Sequence, residues 1–218
     1  MRWDGNVKHL LGLDTAGISS HALPCAGLSA PAHPVTVLVD NLLRMARVIG
    51  ICDVKDDGER DQWRLAPLVS VGPLHFGANH GEVVAALGHA LASPTVGDPR
   101  QGSCIEAQFR EVGVTVYYTD ACLYCVAIDA LRGPQVTLDG QALVGRVPSE
   151  VEQWMLDEAG RRGWELRYTH AADPELANFG LIVRAQRAGD VVLSRPVFLD
   201  QRAEVTWDYV PAREWKAF

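Results

Sequence analysis

Cysteine is sparse and irregular in this 218-residue chain, with five residues at positions 25, 52, 104, 122 and 125. An odd, scattered set makes no disulfide framework; that excludes the small disulfide-stapled scaffolds and suits a reducing compartment. Positive charge is also short. Lysine and arginine number 20 against 27 aspartates and glutamates, for a formal net charge of −7. Non-specific nucleic-acid binding needs a basic footprint to replace phosphate counterions, so no nucleic-acid partner is expected. No apolar run is long enough to span a bilayer, and no membrane association is expected. Residues 1–12 carry Asp4 ahead of a short apolar run and lack the pattern of a secretory leader. A cytoplasmic location is the resulting expectation.

Catalytic and cofactor motifs are missing too. Residues 72–77 lack the Lys-Ser/Thr ending of a phosphate loop and the spacing of a dinucleotide fingerprint. There is no Gly-x-Ser-x-Gly elbow, and no helical histidine pair brackets a glutamate. His75, His80 and His89 lie near one another in the chain and could ligate a metal or act as a base, but loop and surface positions explain them more simply. Cys122 and Cys125 have the spacing of a redox or zinc pair. A redox pair of that kind opens a helix, whereas this one sits where a turn leads into a strand. Strand residues three apart point to opposite faces, and no second pair completes a zinc site. Asp53, Asp57 and Gly58 match three positions of a calcium loop, but Lys55 and Arg64 fall where carboxylates belong. No cofactor and no metal are expected. The alternative is an enzyme, a small hydrolase or a metal-dependent one, using the His75/His80/His89 or Cys122/Cys125 set.

What is present is an ordinary globular composition, 48% apolar and 22% charged. Residues 1–34 are rich in Gly, Ala, Ser and Pro and read as a loose arm, with a short helix at 7–11. Val39, Leu42, Leu43, Ala46 and Ile49 recur at helical spacing, which predicts a helix over 35–50. The division is therefore an N-terminal arm and helix, 1–66, and an α+β domain, 67–218. Residues 63–71 suggest a strand. Asn79 followed by Glu82 forms a capping box for a helix over 82–91, with Ser93, Pro94 and Pro99 opening a loop. Val112, Val114, Val116 and Tyr118 alternate with smaller or polar residues as a strand does, and 123–128 returns beside it. A further strand at 136–138 precedes the Asp139-Gly140 turn. A second helix over 150–161 begins at Pro148 and closes at Gly163. Strands at 164–168, 179–186, 191–199 and 204–210 follow.

Two stretches repeat. Leu74-His75-Phe76-Gly77 is followed by Glu82-Val83 and Leu87, and Leu143-Val144-Gly145 by Glu150-Val151 and Met155. Each places Glu five, Val six and a large apolar residue ten positions after its glycine, and each precedes strands. Repeats of this kind stack supersecondary units into one core. The predicted fold is α+β: an antiparallel sheet with helices on one face, in two tandem helix-plus-strands units. The repeated unit resembles small bacterial inhibitor and immunity proteins, such as those encoded beside polymorphic toxins. Its tandem organisation is similar to that of the β-lactamase inhibitor protein type. The resemblance covers roughly 68–200 and carries over no catalytic residue. It implies a non-enzymatic chain that binds and neutralises a cognate toxin by covering its active site.

An acidic chain suits a basic protein partner, because complementary potentials speed encounter. Tyrosine and tryptophan provide large contact area at low entropic cost. Alternation places Tyr118 inside with Val114 and Val116, and Tyr117 outside with Thr115 and Thr119. Tyr117, Asp120, Asp200 and Asp208 are accordingly the predicted contact residues.

Overall fold

The computed structural model describes residues 54–96, 105–204 and 206–216. The arm, the helix over 35–50, and Cys25, Cys52 and Cys104 lie outside the described residues. Acidic residues 56–61 surround a 3₁₀ turn, Asp57–Glu59. Then come β1 (Gln62–Ala66), β2 (Ser70–Val71), β3 (Leu74–His75), α1 (His80–Ala86), β4 (Ser93–Val96), β5 (Ile105–Phe109), β6 (Val114–Thr119) and β7 (Cys122–Ile128). The chain continues through β8 (Gln135–Leu138), β9 (Gln141–Ala142), α2 (Pro148–Arg162), β10 (Leu166–Tyr168), β11 (Pro174–Leu176), β12 (Leu181–Ala188) and β13 (Val191–Leu199). It closes with α3 (Thr206–Tyr209) and a 3₁₀ turn, Ala212–Trp215.

Local chemistry fixes many of these boundaries. Asn79 accepts a hydrogen bond from the Glu82 backbone N–H while Glu82 accepts from that of Asn79, the reciprocal pair read from the sequence. Pro148 opens α2, Val151 and Met155 bury one stripe, and Gly163 ends the helix in the left-handed conformation. The β6–β7 and β8–β9 hairpins turn through Asp120-Ala121 and Asp139-Gly140, with φ positive at all four residues, as two-residue hairpin loops demand.

The strands build two sheets in an α+β fold. One has five strands in the order β3-β2-β1-β8-β9, with β1 and β8 parallel. The other has eight, ordered β10-β11-β12-β13-β7-β6-β5-β4, antiparallel throughout. It consists of two four-stranded meanders joined at β7 and β13, where Phe198 faces Val126. The order of hairpin, helix and four strands thus occurs twice. The likeness stops at strand order: α1 has 7 residues and packs against β3, whereas α2 has 15 and lies across β10–β13.

A cluster including Leu74, Val83, Phe109, Val116, Met155 and Phe198 joins both helices and the small sheet to one face of the large sheet. The opposite face is covered as well. Tyr117, Ala127, Ile182, Val197 and Leu199 pack there against Ala203 and Val210, with Tyr209 and Trp215 at the margin. The expectation of helices on one face holds for α1 and α2, while the C-terminal strap with the four-residue α3 covers the other face.

Further readings change. Residues 206–209 form α3 instead of a strand. The strand expected over 63–71 is two strands separated by a turn in which Leu68 has φ +61°. Ser93 and Pro94 belong to β4 instead of a loop; β4 is a sheet edge, where a residue without N–H does least harm. Strand β1 places residues 62–66 with the domain that follows them.

Candidate interaction surface

Alternation along β6 is as expected, with Val114, Val116 and Tyr118 on the helix side. The side carrying Tyr117 is not open to solvent, however. Tyr117 is 1% exposed, and its hydroxyl donates to Glu214 in the C-terminal strap. Burial, then the nearby Glu214 carboxylate, push its pKa well above the usual tyrosine value. The outward placement of Tyr117 is thereby corrected, because the strap covers the face to which it points.

The strap is fastened by charged pairs. Arg184 and Arg195 lie directly opposite each other on β12 and β13. Like charges in that register repel unless each has a counter-ion. Arg184 donates to Asp173 at 3.0 Å and to the Lys216 carbonyl at 3.1 Å, and it lies over the Trp215 ring. Arg195 makes a two-pronged pair with Glu214, and both side chains are almost fully buried. On β11, Glu175 accepts from Arg167, directly opposite on β10, and from the Thr206 hydroxyl at 2.8 Å. Arg213 pairs with Glu106 of β5. The sheet thus supplies a row of charges, and the strap answers several of them.

The other predicted contact residues are dispersed. Asp120 is exposed at the β6–β7 hairpin turn, and Asp208 is exposed on α3. Asp200 is half-buried and accepts the Tyr209 hydroxyl. Tyr117 and Asp200 are therefore committed to internal bonds. The histidines do not converge on a described site either. His80 Nδ1 lies 3.0 Å from the Tyr118 hydroxyl, and its ring meets those of Tyr118 and Phe109, while His75 and His89 are exposed.

Cys122 is exposed and Cys125 buried, and neither is joined in a disulfide. Simple alternation does not describe this pair, because a register shift opposite Tyr117 and Tyr118 bulges β7. Tyr124 and Cys125 consequently share one hydrophobic cluster. Among the described residues, no three His, Cys, Asp or Glu side chains are grouped as metal ligands.

The acidic turn is the surface feature that sequence reasoning passed over, having read it only as a failed calcium loop. Its organiser is Arg60, 4% exposed. The guanidinium donates to the carbonyls of Lys55 (3.0 Å), Ala130 (2.8 Å), Leu131 (3.0 Å) and Gly133 (2.6 Å). Burial lowers the Arg60 pKa, against the pull of Asp57 and Asp129. Asp57 is held in turn by Arg146 and by Gln135 Nε2 at 3.2 Å. Gln62 Nε2 donates to the carbonyls of Asp57 (3.1 Å) and Arg60 (2.9 Å). Asp56, Glu59 and Asp61 remain exposed on this braced backbone. A signal was available: a lone arginine amid four carboxylates, in a chain short of cations.

No family model, no curated protein and no solved structure matches the chain.

Proposed function

We propose that this protein works by binding another protein without catalysis, as a cytoplasmic immunity protein that covers the basic active site of a cognate toxin. The observation that carries the reading is the braced acidic turn. Glu59 and Asp61 project from a turn whose backbone is held by Gln62, donating to the Asp57 and Arg60 carbonyls, and by Arg60, donating to the Lys55 carbonyl. A charged surface that is already ordered loses little conformational entropy on docking, and its field steers a basic partner during encounter. This moves the expected contact from Tyr117 and Asp200, which are engaged internally, to the turn; exposed Asp120 and Asp208 are secondary candidates.

The test is affinity capture of a partner from extracts of the source cell with the tagged full chain, followed by binding kinetics at low and high salt. Association should slow as salt rises, since steering is screened beyond about 10 Å at 0.1 M. Glu59→Gln with Asp61→Asn should slow low-salt association about tenfold and leave high-salt association nearly unchanged. Salt-independent association with normal binding by the double variant would sink the proposal.

A further inference from the structure

A cleft of about 430 Å³ opens on the strap side of the large sheet, with Arg213 of the strap in its lining. It is independent of the acidic turn's proposed role. Four arginines line it, Arg110, Arg132, Arg195 and Arg213, with Asp129 the one carboxylate among its lining residues. That is a concentration of cations in a chain whose net charge is −7.

The four are not equivalent. Arg195 and Arg213 already have carboxylate partners, Glu214 and Glu106. Arg110 and Arg132 are exposed and make no ion pair or side-chain hydrogen bond with a described residue. Asp129 does not neutralise them through an ion pair. One of its oxygens accepts the backbone N–H groups of Leu131 and Arg132, both at 2.9 Å, and the other accepts Gln186 Nε2 at 2.9 Å.

The walls are rigid where it matters. Arg132 sits in the 129–133 loop, whose carbonyls Arg60 holds and whose backbone N–H groups Asp129 caps. Arg110 sits in the β5–β6 turn, and that turn is locked to the same loop. Gly113 has φ +72°, and a Cβ there would lie 2.5 Å from the Gly133 nitrogen, so only glycine fits. Two guanidiniums without carboxylates thus project from two loops packed backbone to backbone.

We infer that this cleft binds a phosphorylated small molecule, with Arg110 and Arg132 holding its phosphoryl group. The guanidinium fork matches phosphate oxygens bidentately, and a phosphomonoester near neutral pH carries about two negative charges, one for each arginine. The volume lies within the usual range for small-ligand sites. Leu131 offers apolar surface, and Thr115 and Gln108 polar groups, to the rest of such a molecule. A nucleic-acid strand needs a long track of cations, which the adjoining acidic turn interrupts.

The test is a titration of the full chain with inorganic phosphate and pyrophosphate at constant ionic strength, followed by NMR on the arginine Nε–Hε signals and the Gly113 amide. Saturable shifts at Arg110, Arg132 and Gly113 are expected, with Arg161 on α2 unmoved. Arg110→Gln and Arg132→Gln should each weaken binding at least about tenfold while leaving the thermal midpoint in place, as loss of a charge-assisted hydrogen bond at an exposed site would. Non-saturable shifts that include Arg161, or unchanged affinity in both variants, would overturn the inference. Stronger binding of citrate than of pyrophosphate would overturn the phosphoryl assignment.

Discussion

On the face of the eight-stranded sheet that carries α1 and α2, the closing side chains are apolar, Val83, Phe109, Val151, Met155 and Phe198 among them. On the face beneath the strap, Glu106, Tyr117, Glu175, Arg184 and Arg195 alternate with small and branched apolar residues. Apolar burial is non-directional: any well-shaped hydrocarbon closes the first face, and the gain follows area. Closure of the second face is one-to-one. Each charge needs its own partner at hydrogen-bond distance, because an unpaired buried charge costs more than a pair gains. The first arrangement stabilises the domain. The second determines where on the sheet the strap must lie.

The largest expected effects come from breaking each face once. Phe198→Ala, at a fully buried site on the apolar face, should destabilise the fold by about 3–5 kcal/mol. Arg195→Met should cost a similar amount, about 3–5 kcal/mol, because it strands the Glu214 carboxylate. The two losses should differ in where they are felt. Limited proteolysis and hydrogen exchange should show the strap released before the sheet in Arg195→Met, but leaving together with it in Phe198→Ala. Joint release in both variants would erase the distinction between the faces.

That distinction also explains what could be read in the sequence. The apolar face is written in local patterns: valines two apart in β6, Val151 and Met155 four apart in α2, Asn79 and Glu82 three apart at a cap. Each is decided by neighbours within one element. The partners on the second face are far apart in the chain, Tyr117 with Glu214 and Glu106 with Arg213. No periodicity connects them. Tyr117 looked like a surface aromatic because alternation says which side of a strand a residue takes, not whether that side is wet. The order of helices and strands was legible for the same local reasons. It says nothing of helix length, where the two halves diverge. The bracing of the acidic turn was hidden too, since Arg60 reaches four main-chain carbonyls that carry no side-chain signature.

A middle-sized effect tests the second face through pH. Burial, then Glu214, raise the Tyr117 pKa above its unfolded value of about 10. The folded state therefore keeps this proton after the unfolded chain has released it. Its contribution to stability is complete below about pH 10 and is lost as pH rises through the folded value. Stability measured by denaturant unfolding should fall above pH 10 by about 1.4 kcal/mol per pH unit for this group. Tyr117→Phe should be less stable at neutral pH by about 1–3 kcal/mol, since Glu214 loses a donor, and should fall less steeply above pH 10. Parallel curves for the two proteins would mean that Tyr117 is not buried beneath the strap.

The smallest expected change comes from removing the whole buried set at once. Combining Arg195→Met, Glu214→Leu and Tyr117→Phe takes away a guanidinium, its carboxylate and the hydroxyl that donates to it, leaving none of the three stranded. The directly opposed Arg184 also loses its like-charged neighbour, while its own bonds to Asp173 and the Lys216 carbonyl remain. Buried ion pairs replaced by apolar side chains of similar volume commonly come out neutral or stabilising by about 1–4 kcal/mol. Global stability of the triple variant should therefore lie within about 1 kcal/mol of wild type or above it, although Arg195→Met alone is costly. If the charges serve to register the strap, the penalty should surface elsewhere: amides of residues 206–216 should exchange faster while those of β6, β7 and β13 stay protected. A triple variant as unstable as Arg195→Met, with uniform protection loss, would show that the charges on the second face stabilise the domain just as the apolar side chains on the first face do.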